Sequence, residues 1–70
     1  MKVRLEFDGE ADAAYFYLVY PVREGEAKNT VKVNDNVLLD FDSKGRLLGV
    51  EVLNASKLLA KEALADAVNL

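Results

Sequence analysis

The chain reads as an α+β domain: an antiparallel sheet of four to five strands, joined as a meander of hairpins, with one C-terminal helix packed on one face. Three observations lead there. The apolar runs Val37–Phe41 and Leu47–Leu53 flank Asp42-Ser43-Lys44-Gly45, a hairpin written with turn residues. Val3, Leu5 and Phe7 alternate with Lys2, Arg4, Glu6 and Asp8, the period of a strand with one dry and one wet face. From Asn54 onward the chain turns Ala- and Leu-rich, with Ala60, Ala63, Leu64, Ala67 and Val68 at helical spacing.

Taken in order, the first strand ends where Asp8-Gly9-Glu10-Ala11-Asp12 breaks the alternation and turns the chain. Ala13–Tyr20 is a second strand, with Ala14, Phe16, Leu18 and Tyr20 pointing one way and Ala13, Tyr15, Tyr17 and Val19 the other. Both of those faces are apolar, so this strand belongs inside the sheet with cover on each side, and Phe16 belongs to the core. Pro21 ends it, and the polar stretch from Val22 to Asn29 is a loop. Thr30–Val33 is a short strand, turned by Asn34-Asp35-Asn36 into Val37–Phe41. A three-residue turn of Ser43, Lys44 and Gly45, with Gly45 in the left-handed position, pairs Asp42 with Arg46 and Phe41 with Leu47. It continues by pairing Asp40 with Leu48 and Leu39 with Gly49. Asn54 or Ser56 is placed to cap the final helix.

Seventy residues allow one domain, spanning 1–70, whose core leaves a thin margin of stability. With no cysteine and no histidine, disulfides and thiolate or imidazole metal sites are excluded. Association is the remaining way to add stability. Net charge is −3 and the nine basic residues are scattered, which disfavours direct binding to nucleic acid. No apolar run approaches the ~20 residues that cross a bilayer. The alternating N-terminus lacks the apolar core of a signal peptide, so a cytoplasmic protein with no membrane contact is expected.

Carboxylates are the richest polar feature: Asp8, Glu10, Asp12, Asp40, Asp42 and Glu51. A hard cation takes such ligands, and the Asp8-x-Glu10-x-Asp12 spacing faintly suggests a calcium loop. The glycine is misplaced, however, and Val19 stands where the bidentate carboxylate belongs. No metal and no cofactor is therefore expected. Asp8, Asp12, Asp40 and Asp42 remain the residues that a small-ligand or divalent-cation site would use. Ser43 and Ser56 lack an activating histidine, and so small a chain rarely builds a cleft, so no enzyme is expected.

One helix covers one face of a sheet, which leaves apolar surface on the other. Tyr15, Tyr17 and Val19, with Leu48 and Val50, are the expected interaction surface, because tyrosine suits interfaces and its hydroxyl tolerates water. The partner expected there is a second copy, making a homodimer, or another small protein. The helix or a free sheet edge could also make the contact.

Two blocks, Asp12-Ala13-Ala14-Tyr15-Phe16-Tyr17-Leu18 and the run from Leu39 to Ser56, make the chain resemble a small prokaryotic family, domain of unknown function 2283. The resemblance implies a small α+β domain with no established activity and no catalytic residue to carry over. Some members sit beside genes for small toxin-like domains, which implies an antitoxin-like or partner-binding role.

Overall fold

The structure, a computed structural model, describes residues 3–70. Lys2, the first polar position of the N-terminal alternation, lies outside the described residues. Five strands fall where the hydrophobic pattern places them: β1 (Arg4–Asp8), β2 (Ala13–Tyr17), β3 (Asn29–Lys32), β4 (Val37–Phe41) and β5 (Leu47–Leu53). A sixth, β6 (Val68–Asn69), follows two short helices, α1 (Ala55–Leu58) and α2 (Lys61–Ala65). The sheet order is β3-β4-β5-β2-β1-β6. All neighbours are antiparallel except β1 and β6, which run parallel.

Among the described residues, the expectation of four to five antiparallel strands and one helix is therefore corrected to six strands in a mixed sheet with two helices. The physical cause lies at Leu59 and Ala60, both extended with ψ 144 and 148°. Neither is a helix breaker; tertiary packing overrides propensity here, since short helices draw their stability from what they bury. The break turns Leu59 towards the sheet, buries Ala67 and brings Val68–Asn69 alongside β1. There the Leu70 N–H donates to the Phe7 carbonyl at 3.0 Å. The outer edge of β1, otherwise open, is partly satisfied.

The β4–β5 hairpin begins as expected. Asp42 N–H donates to the Arg46 carbonyl at 2.9 Å, Gly45 has φ 80°, and Phe41 lies opposite Leu47. The register then shifts: Asp40 pairs with Gly49, and Leu39 with Val50. Leu48 is the extra residue of a β-bulge, which aims it inward at 5% exposure. The expected pairs of Asp40 with Leu48 and Leu39 with Gly49 are thus each displaced by one residue.

That displacement decides which side chains share a face, because residues directly opposite on paired strands point the same way. One row reads Val31, Leu39, Val50, Phe16, Leu5, and the next reads Val37, Val52, Ala14, Phe7. The other face reads Thr30, Asp40, Gly49, Tyr17, Arg4 and Lys32, Leu38, Glu51, Tyr15, Glu6. The sheet therefore has one apolar face and one tyrosine-rich, charged face, not two apolar ones. β2 also stops at Tyr17. Leu18 and Val19 both donate to the Leu48 carbonyl, so alternation ends and Tyr20 joins Tyr17 instead of Phe16.

The helices sit over the apolar face, and Asp12 anchors them. It adopts φ 51°, a left-handed conformation that aspartate tolerates. Its carbonyl accepts from Ala55 N–H at 3.0 Å. Its carboxylate accepts from Ser56 N–H at 2.9 Å and from the Ser56 hydroxyl at 2.8 Å. Asn54 occupies the N-cap position but makes no capping bond; its amide donates to Asn36 instead. The cap of α1 is thus supplied across 44 residues of sequence. Asp12→Ala is expected to lower stability by about 0.5–2 kcal/mol, as loss of a cap does, and urea unfolding measures it. Asp12→Asn, which keeps one acceptor, should recover part of that loss.

Candidate functional site

The charged face is organised by one long-range hydrogen bond. The Tyr15 hydroxyl, on β2, donates to Asp40 on β4 at 2.6 Å, crossing the intervening strand β5. Gly49 makes this crossing possible. A Cβ built on Gly49 would clash with the hydroxyl-bearing edge of the Tyr15 ring, 2.6 Å from the hydroxyl oxygen and 2.7 Å from Cζ. The other Asp40 oxygen accepts from the Thr30 hydroxyl on β3 at 2.6 Å. In the opposite direction the Tyr15 and Tyr17 rings lie 4.5 Å apart, and Tyr17 meets Tyr20 edge-on at 5.0 Å. Arg4 stacks over Tyr20 at 4.5 Å and donates to Glu6 at 2.8 Å. A connected band of aromatic and charged groups thus crosses from β3 to β1.

Burial pushes the Tyr15 hydroxyl well above its ordinary value, aided by its hydrogen bond to Asp40 and the charge there. Burial also raises Tyr17, with the Glu6 carboxylate adding to it. Both hold their protons at neutral pH and serve as hydrogen-bond donors. They are not poised as bases or nucleophiles.

The four candidate cation ligands are occupied separately by their own chain. Asp8 accepts from Glu10 and Ala11 N–H in the first turn. Asp12 caps α1, and Asp40 holds Tyr15 and Thr30. Asp42 accepts from Lys44 and Arg46 N–H and from the Arg46 guanidinium at 2.8 Å. Its carboxyl is lowered chiefly by the Arg46 backbone bond. Among the described residues no three acidic groups gather where one cation could bridge them.

The expected interaction surface is also divided. Tyr15 and Tyr17 lie on the charged face, and Val50 lies on the apolar one. Leu48 is buried in the bulge, and Val19 is exposed beyond the end of β2. The register of β5 against β2 is the reason, since it sets Val50 opposite Phe16 and leaves Glu51 and Gly49 opposite Tyr15 and Tyr17. The apolar face instead offers a groove of about 270 Å³ lined by Leu5, Phe16, Val50, Val52, Leu59 and Ala63. Phe16, expected in the core, is 38% exposed there. Its place could have been read in the sequence only by knowing that the helix breaks at Leu59.

Residues 4–56 match the family described as Protein of unknown function (DUF2283). The chain belongs to this family. That match takes in the sheet from β1 to β5, together with Tyr15, Asp40, Gly49 and Asp12. Uncharacterized protein MJ0789 of Methanocaldococcus jannaschii is 42% identical over 59 residues, covering 83% of this chain. The chain spans 46% of that relative's length. No solved structure matches. No helix among the described residues is long and apolar enough to cross a membrane.

Two measurements examine the band. Gly49→Ala must displace the Tyr15 ring and is expected to cost about 1–3 kcal/mol, as overpacking does. In a Tyr15→Leu background the added cost should fall below ~0.5 kcal/mol, since the ring it meets is gone. The raised tyrosines also fix an alkaline limit. A group whose folded pKa is raised contributes stability that is complete below its unfolded value, here 10.0, and is lost as pH rises towards the folded value. Stability should therefore fall above about pH 10. Tyr15→Phe should flatten that fall in chemical denaturation across the range; an unchanged slope would remove Tyr15 from the effect.

Proposed function

We propose that this DUF2283 chain is a protein-interaction module that works by self-association. The observation that carries the reading is its surplus of surface. A compact monomer of this mass, 7.7 kDa, exposes about 4,300 Å². The chain exposes 4993 Å². The difference, roughly 650 Å², is surplus surface that association would cover in part. Core composition points the same way, since no large side chain is fully buried among the described residues. A second copy is the natural occupant, because two-fold association lets one patch serve both sides.

The finer reading implied by the resemblance, an antitoxin-like protein holding a small toxin, would use the groove beside α1 and α2. Phe16→Asp should then abolish co-purification of that partner, and unchanged recovery sinks this part. Small-ligand or cation binding through Asp8, Asp12, Asp40 and Asp42 has less support, because each carboxylate is engaged by its own chain.

Sedimentation equilibrium tests the self-association. A mass of two chains at tens of micromolar, with a Tm that rises with protein concentration, is the expected result. A one-chain mass with a concentration-independent Tm would reject it.

A further inference from the structure

Resting on that self-association, we propose where the copies meet: β3 pairs with β3 of a second copy, antiparallel, about a two-fold axis at Val31. β3 is the outer strand at one end of the sheet, and all four of its residues are exposed. The opposite edge is the two-residue strand β6.

The backbone directions on β3 follow from its neighbours. Val33 N–H donates to the Val37 carbonyl at 2.8 Å, and Leu53 N–H to the Asn36 carbonyl at 2.8 Å. On β4, odd-numbered residues therefore bond towards β3 and even-numbered ones towards β5. Val31 lies opposite Leu39 and Asn29 opposite Phe41, so those two turn their N–H and C=O groups to β4. Thr30 and Lys32 turn theirs outward, unpaired.

Antiparallel pairing must then match even residues with even ones. Centring the axis on Thr30 would set Lys32 opposite the partner's Lys28, whose N–H is already given to its own Phe41 carbonyl at 2.9 Å, and centring it on Lys32 would oppose two lysines directly; both are unfavourable. The register centred on Val31 avoids this. It sets Thr30 opposite the partner's Lys32 and Asn29 opposite the partner's Val33. All the outward N–H and C=O groups of Thr30 and Lys32 on both copies are then paired. Lysines that guard an edge against indiscriminate pairing here select one register. The apolar row Leu5-Phe16-Val50-Leu39-Val31 runs on into the same row of the second copy. Val31 and Val33, 48% and 56% exposed in the single chain, are covered.

The absence of cysteine makes a direct test simple. In this register Val31 faces its own copy as a non-hydrogen-bonded pair, with Cα atoms about 4.5 Å apart, within disulfide reach. Val31→Cys should convert to a disulfide-linked dimer under mild oxidation. Val33→Cys, about 13 Å from its counterpart, should not. Lys32→Pro removes an outward N–H, with an exposed ion pair to Asp35 that adds little to stability, and should weaken the dimer at least tenfold, with the far-ultraviolet spectrum unchanged. If the wild type is dimeric, but Lys32→Pro is equally so and Val31→Cys does not cross-link, edge pairing is overturned and self-association stands. A monomeric wild type overturns both. Should Lys32→Pro fail to fold, the cross-linking pair decides.

Discussion

The hydrogen bond from Tyr15 to Asp40 is the constraint on which much of this sheet depends, because it joins two strands that are not neighbours. It can form only where the strand between them presents no side chain, and Gly49 supplies that gap. Gly49 in turn faces Asp40 only because the bulge at Leu48 shifts the register by one. Bulge, glycine, tyrosine and aspartate therefore act as a unit. Covering a strand glycine with an aromatic ring also recovers packing that the glycine alone would forfeit.

The separation of the two faces rests on the β1–β2 and β2–β5 registers, and the bulge brings Leu39 of β4 onto the apolar side. Past the bulge, Val50 and Val52 join Phe16, Ala14 and Leu5 on one side, while Glu51 joins Tyr15 and Glu6 on the other. The apolar side is then covered by helices of four and five residues, too short to span it. Their hold on the sheet comes from Asp12, which reaches from the first turn to cap α1, and from the tail, which returns as β6. A domain built this way has, apart from Leu48, only alanines at its centre and its other large apolar groups at the margin. The thin core and the apolar surface left open have the same origin here.

The charged groups serve architecture in the same way. Asp8, Asp12 and Asp42 each satisfy backbone amides that a turn or a helix start leaves unpaired, and Asp40 satisfies two hydroxyls. Tyrosines that keep their protons offer shape and hydrogen bonds, not reactivity. These features are compatible with the interaction role proposed above.

The sequence by itself determined the α+β class, the positions of β1 to β5 and the turn at Gly45. Period-two alternation and turn residues are local signals, and local sterics enforce them. It also marked Asp12, Asp40, Tyr15 and Tyr17 as notable, without their partners. Only the tertiary structure decided that the C-terminal segment breaks at Leu59 and ends as a strand, because an unpaired edge at β1 outweighed a few residues of helix propensity. Only it placed Val50 on the face opposite Tyr15, because β5 pairs with β2 in the register that sets Val50 against Phe16, and only it brought Leu39 to the side of Val50, through the extra residue at Leu48. Face assignment depends on register, and register is a property of paired strands that neither strand carries alone.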